Sequence, residues 1–272
     1  MRAALTVMIF LMFASTGVRA EELLNETFSD PGQFPSMWNV LSGTVAVEDG
    51  WAHGHASGED DPIFVLRDPA ALRWTNITMD VDTRWTSNES YSYCRIFFYL
   101  QSTTAWQPNL YPPNGYMLDM KVQQQNIVLS RFVGGSGETL SLLYYPVAAG
   151  VTYHVQIAVA NGDISVAING QTAMQVHDDT FPSGTIGFSA STGGGSWTYI
   201  DSYYDNVFVS GNLLPGRGAC CFQAGICLLG TEADCTAVGG SYMGDGTTCE
   251  QTPCQPTPVE CATWGQVRGA FR

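Results

Sequence analysis

Basic residues are scarce. Lys and Arg together number 11 in 272 residues, against 25 Asp and Glu, for a formal net charge of −14. A chain this acidic repels nucleic acid and anionic membrane surfaces, so neither is expected as a partner. Long apolar runs are also missing. The longest, residues 3–14, falls short of the ~20 residues that cross a bilayer as a helix. Helix-period patterns are nearly absent beyond it, which points to an all-β chain with many turns. No G-x-S-x-G elbow, phosphate-binding loop or pair of C-x2-C zinc knuckles is present.

What is there begins with residues 1–20, MRAALTVMIFLMFASTGVRA. Arg2, a short apolar stretch and the small-x-small end Val18-Arg19-Ala20 read as a secretory signal peptide. Loss of Arg2 and Arg19 leaves 9 basic residues against 25 acidic ones, a charge of −16. The eight cysteines fit export: six of them, Cys220, Cys221, Cys227, Cys235, Cys249 and Cys254, crowd into 35 residues. An even, dense cluster in an exported chain reads as a disulfide framework, here of three bridges. Adjacent Cys220 and Cys221 must go to different partners, because a vicinal bridge is strained. Cys94 and Cys261 lie outside the framework.

Residues 21–212 carry strand patterns. Val155, Ile157 and Val159 alternate with polar or small residues, as do Ile164, Val166 and Ile168. Asn161-Gly162 and Asn169-Gly170 punctuate them as tight hairpin turns, which gives a three-strand meander. Further strands are expected at 24–28, 38–40, 44–51 (with an Asp49-Gly50 turn), 76–84, 93–100, 115–122, 127–132, 185–188 and 204–209. Residues 101–114, with Trp106 and Tyr111, form a long polar-aromatic loop of the kind that carries binding function. From 213 the composition changes. Residues 213–254 hold too little apolar surface for a core and depend on cross-links. Residues 255–272 are a Pro/Thr linker and tail.

The order "V-x-x-N-G … F-P-S-G-T-I-G-F … D-N-V-F-V", with "F-S-D … W-N-V … V-E-D-G" near the start, resembles laminin-G-like, concanavalin A-like lectin-glucanase jelly rolls. Keto-disaccharide hydrolase-like domains share the layout. The resemblance covers both ends of 21–212 and implies a two-sheet antiparallel sandwich. The segment "G-A-C-C … G-G-S-Y-M-G-D-G-T-T-C" resembles a small cysteine-rich module of secreted bacterial proteins, with which no enzymatic role is associated.

Alternation along 76–84, 93–100 and 115–122 divides the side chains into two sets. Met79, Val81, Cys94, Ile96, Phe98, Leu100, Leu118, Met120 and Val122 are expected toward the core. Asp80, Asp82, Arg84, Tyr93, Arg95, Phe97, Tyr99, Asp119 and Lys121 are expected together on the opposite face. The resemblance implies that such a face, concave in this fold, binds saccharides: rings stack on sugars while carboxylates and Arg bond hydroxyls. Asp80 and Asp82 are ~7 Å apart on one strand face, near a glycosidase separation. However, Asp80-Val81-Asp82-Thr83-Arg84-Trp85 lacks the two glutamates of laminarinase-type enzymes. His53-Gly54-His55 puts two imidazoles on one strand face with no third metal ligand visible, so a solvated strand end is expected. Glu26, Asp30 and Asp205 belong to the first strand, its exit and the last strand. Jelly rolls of this type often hold a structural calcium there through such oxygens. The sequence therefore predicts a secreted, non-catalytic module for an extracellular polysaccharide or cell-surface glycan. The alternatives are a glycoside-active hydrolase and a structural envelope protein.

Overall fold

A computed structural model of the chain describes residues 20–57, 61–87, 92–104, 112–121, 123–192, 199–222, 226–249 and 254. The expected signal peptide, Trp106, Tyr111, Val122, Cys261 and the 255–272 tail lie outside these residues. Of the described residues, 62% are strand and 7% helix. Two compact units divide it, Met1–Asn212 and Leu213–Arg272.

The first unit is a sandwich of two antiparallel sheets. The eight-stranded sheet runs β13 (Gln171–His177), β12 (Asp163–Ile168), β11 (Tyr153–Ala160), β6 (Trp74–Ser87), β15 (Tyr199–Leu213), β4 (Trp51–Ser57) and β3 (Thr44–Glu48). Its eighth strand, β1 (Glu21–Glu26), also pairs with β15, so the first and last strands of the sandwich are neighbours. The seven-stranded sheet runs β10 (Ser136–Tyr144), β9 (Asn126–Val133), β8 (Asn114–Lys121), β7 (Ser92–Leu100), β14 (Thr185–Thr192), β5 (Ile63–Leu66) and β2 (Trp38–Ser42).

The meander forms as its turn residues require. Asn161-Gly162 and Asn169-Gly170 take φ of 51°, 86°, 50° and 76°, the paired positive values of a type I′ turn. That turn fixes the register, so Val155 faces Ile168 and Ile157 faces Val166. Asp49-Gly50 closes β3 and β4 in the same way, with φ of 51° and 78°. Between the sheets lies one core. Met79, Val81, Ile157 and Val166 from one sheet meet Ile96, Phe98, Leu118 and Phe188 from the other, all with no solvent exposure. Cys94 sits in this core on hydrogen bonds with Thr83 Oγ1 at 3.0 Å and Tyr204 Oη at 3.2 Å.

Two features depart from the pattern read in the sequence. First, the strands expected to share a face belong to different sheets. β6 pairs with β11, Asp82 opposite His154 and Asp80 opposite Gln156, whereas β7 pairs with β8 and β14. Asp80, Asp82 and Arg84 therefore stand on the outside of one sheet. Tyr93, Arg95, Phe97, Asp119 and Lys121 stand on the outside of the other. Second, β7 slips by one residue at its end. Phe98 and Tyr99 together oppose the single Ile186, and Tyr99 has a φ of 50°. Such a bulge reverses the inside-outside alternation beyond it. Tyr99 turns into the core beside Phe98 and Tyr116, and Leu100 turns outward to join Phe97 and Met117.

The second unit holds a three-stranded sheet of β17 (Cys227–Gly230), β16 (Gly218–Cys221) and β18 (Ser241–Tyr242), with the short helix Glu232–Ala237. Three disulfides knit it: Cys220–Cys235, Cys221–Cys254 and Cys227–Cys249. The six clustered cysteines are those expected to be bridged, and the adjacent pair goes to different partners. Among the described residues no helix is long and apolar enough to cross a membrane.

Candidate functional site

The outer face of the seven-stranded sheet is largely closed. Arg95 Nε donates to Asp119 Oδ1 at 2.9 Å, and its Nη1 is 3.6 Å from Asp61 Oδ2. The three residues are 3%, 4% and 1% exposed. Phe97, Leu100, Met117, Phe132, Ile63 and Val65 form a second buried apolar cluster on the same side. Of the residues expected on this face, Tyr93, beneath the Arg95 and Lys121 cations at 5.5 and 5.2 Å, and Lys121 itself are half-exposed. Arg95, Phe97, Tyr99 and Asp119 are thus structural rather than accessible, because burial removes them from any ligand's reach.

The outer face of the eight-stranded sheet is open and differs in chemistry. On β6, Asp82 Oδ1 lies 2.8 Å from His154 Nδ1, and Asp80 Oδ1 lies 3.2 Å from His154 Nε2. Gln156 Nε2 donates to Asp80 Oδ1 at 2.9 Å, and Asn206 Nδ2 to Asp82 Oδ2 at 2.8 Å. One imidazole thus bridges the two carboxylates that strand alternation puts side by side. The Asp82 hydrogen bond raises the pKa of His154; partial burial opposes this, and the charges of Asp82 and Asp80 add to the rise.

Beside this cluster, Arg84 reaches across β15. Its guanidinium lies 4.6 Å from the Trp51 ring and 4.7 Å from the Tyr203 ring. No carboxylate among the described residues is in ion-pair range of it, so its charge rests on two ring faces. Tyr203 stacks in turn on His53, with centroids 4.6 Å apart at 10°, and Tyr199 stacks on His55 at 6.2 Å. The two histidines face one acceptor: His53 Nε2 and His55 Nδ1 are 3.0 and 2.6 Å from Asp201 Oδ1. Burial alone would raise the Asp201 pKa, but the hydrogen bonds of His55 and His53 hold it below its usual value. Tyr199 is 39% exposed and the His55 side chain 49%, so this end of the patch meets solvent.

Sequence reading found Asp80, Asp82 and Arg84 of this patch and missed Trp51, His154, Tyr199, Asp201 and Tyr203. Alternation could have grouped Tyr199, Asp201 and Tyr203, and His53 with His55. It could not show that β15 lies against both β4 and β6.

The residues expected to hold calcium, Glu26, Asp30 and Asp205, do not bring their ligand atoms mutually within 4.8 Å. Glu26 Oε1 accepts the Phe28 N–H at 2.7 Å, and Asp30 Oδ1 accepts the Gly32 N–H at 2.9 Å. Asp205 Oδ1 is buried with no hydrogen-bond partner among the described residues. Burial pushes its pKa up, the Asn206 N–H opposes, and the Asp82 and Glu26 charges push further. Glu26 and Asp30 thus each already accept a backbone N–H, and Asp205 keeps a carboxylate oxygen to spare. Among the described residues, the only trio of His, Cys, Asp or Glu ligand atoms mutually within 4.8 Å is Cys221, Cys227 and Cys254, all three in disulfides.

No family model matches this chain, and no curated protein does. Solved structures do. A Bacillus subtilis protein of unknown function with a galectin-like fold aligns at TM-score 0.56 and 14% identity, over 72% of this chain and 99% of its own. The carbohydrate binding module CBM66 from Bacillus subtilis aligns at TM-score 0.50 and 15% identity, over 62% and 92%. A Bacillus licheniformis beta-glucanase aligns at TM-score 0.52 and 12% identity, over 70% and 97%. At such identities the likeness is one of fold: the sandwich is a galectin-like, concanavalin A-like jelly roll.

Proposed function

We propose that this protein is an exported, non-catalytic glycan-binding module whose ligand lies on the outer face of the eight-stranded sheet. One observation carries the reading. Arg84, its guanidinium over the Trp51 and Tyr203 rings with no carboxylate partner among the described residues, sits in an open patch of rings, imidazoles and carboxylates. A guanidinium fixed in this way has N–H donors to spare for hydroxyl or acidic groups of a sugar. Exposed Tyr199 offers a ring to stack on, and Asp80, Asp82, His154 and Gln156 offer a row of acceptors and donors. The jelly-roll fold, which both binding modules and glucanases use, supports the class without choosing the ligand. Tyr93 and Lys121 on the opposite sheet stand as a lesser patch.

The test is retention of the chain lacking residues 1–20 on a panel of immobilised polysaccharides, with the eluate assayed for released sugar. Retention without release is the expected result. Asp80→Asn and Asp82→Asn should then cost a few-fold in affinity. Sugar release by the wild type that these variants abolish would make the protein a hydrolase. No retention on a broad panel would favour a structural envelope role.

A further inference from the structure

We infer that His53, His55 and Asp201 form a binding site for a first-row divalent transition metal such as zinc. The inference is independent of glycan binding, since it concerns the metal alone.

Three observations carry it. First, the two imidazoles converge. His53 Nε2 and His55 Nδ1 come from successive outward positions of β4 and approach the same oxygen, Asp201 Oδ1, at 3.0 and 2.6 Å. Two imidazoles and a carboxylate are a three-ligand donor set for zinc and its neighbours, and solvent at His55 leaves further positions open. Second, the other nitrogen of His53 is already oriented. His53 Nδ1 lies 2.9 Å from Glu48 Oε2. A metal-bound imidazole characteristically gives its second N–H to a carboxylate, which fixes the tautomer and turns the free nitrogen toward the ion. Asp201 is itself supported from outside, with Thr86 Oγ1 3.4 Å from its Oδ2. Third, the rings are held in place: Tyr203 stacks on His53 and Tyr199 on His55.

The trio is not closed. Its donor atoms do not lie mutually within 4.8 Å, because the Asp201 oxygen stands between the two nitrogens where the ion would sit. Metal entry therefore requires Asp201 to draw aside and the imidazoles to close toward bond lengths of about 2.0–2.1 Å. Both histidines are on one strand and Asp201 pairs directly with His55 across the ladder, so the three side chains stay on adjacent strands of one face.

The experiment is equilibrium dialysis and calorimetric titration of zinc into tag-free, metal-stripped protein with its disulfides intact. We expect one saturable site. His53→Ala and His55→Ala should each remove it, and Glu48→Gln should weaken it by about tenfold. His177→Gln, which alters an imidazole on the edge strand β13 paired with Asp163, should leave it unchanged. Melting curves and far-ultraviolet spectra establish that each variant is folded. Where an alanine variant fails to fold, cobalt(II) titration of His55→Gln supplies the readout, and the ligand-field band of the wild type should disappear. No saturable zinc site in the wild type, or a site of equal affinity in the His53 and His55 variants, overturns the inference.

Discussion

Phe97 is the residue for which face assignment matters most. An outward position suggests a ligand-contacting ring whose truncation would spare stability. The structure gives it no solvent exposure, in a cluster with Ile63, Val65, Leu100, Met117 and Phe132. Phe97→Ala should then lose the transfer free energy of a buried ring and leave a cavity besides, together about 3–5 kcal/mol. For a domain of this size 1 kcal/mol moves the midpoint by ~2–4 °C, so a fall of about 10 °C is expected. Leu142→Ala is the comparison. Leu142 is also a large apolar residue on the seven-stranded sheet, but it is 61% exposed, so its change should stay within about 0.5 kcal/mol. Differential scanning fluorimetry of the two variants and wild type suffices. A Phe97→Ala midpoint within a degree or two of wild type would refute the closed outer face and return Phe97 to the candidate ligand surface.

Cys94 should ignore thiol reagents at pH 8 until the protein unfolds. Burial pushes its pKa up to about 11, against the lowering effect of hydrogen bonds with Thr83 and Tyr204; rapid labelling of native protein at Cys94 would contradict this. Reduction should unfold the cysteine-rich unit, since each bridge contributes ~3 kcal/mol by the chain-entropy estimate, and should leave the main sandwich transition in place. Non-reducing peptide mapping should return Cys220–Cys235, Cys221–Cys254 and Cys227–Cys249, and a Cys220–Cys221 peptide would oppose the assignment. The folded pKa of His154 lies above the ordinary imidazole value of about 6.5. Its contribution is therefore complete below that pH and is lost as pH rises through the folded value. The midpoint advantage of wild type over His154→Gln should accordingly shrink on going from pH 5.5 to 8.5, and a constant difference would deny the shift. Calcium between Glu26 and Asp205 is a proposal that chelation tests: it predicts a midpoint lowered by EDTA and restored by calcium, and an unchanged curve removes it.

The local features of the fold were legible in the sequence because their causes are local. Asn-Gly pairs can sit at positive φ, and alternation then decides which residues of β11 and β12 face the core. Strand β5, four consecutive buried residues, shows no alternation and escaped notice. The partner of β6 was not legible either. Its ladder with β11 joins residues 70 to 80 positions apart, and nothing in residues 76–84 encodes that choice over pairing with β7. The same holds for the candidate site. His53 and His55 read as a solvated strand end because their common acceptor, Asp201, lies 148 and 146 residues away. Tyr99 was misplaced for a smaller reason: a single bulge, beside which Gly184 lies so close that a Cβ there would stand 2.4 Å from the Tyr99 carbonyl carbon, reverses the last two positions of β7.

Glycan binding is proposed for the open face of the eight-stranded sheet. Its most direct test is one titration, with a polysaccharide retained on the panel, of wild type, Tyr199→Ala, Arg84→Ala and Tyr93→Ala. Truncating an anchor at a binding surface costs about 1–3 kcal/mol, or roughly five- to two-hundredfold in Kd. Losses of that order are expected for Tyr199→Ala and Arg84→Ala, and wild-type affinity for Tyr93→Ala. Full affinity in the first two with a loss in Tyr93→Ala would place the ligand on the other sheet and contradict it.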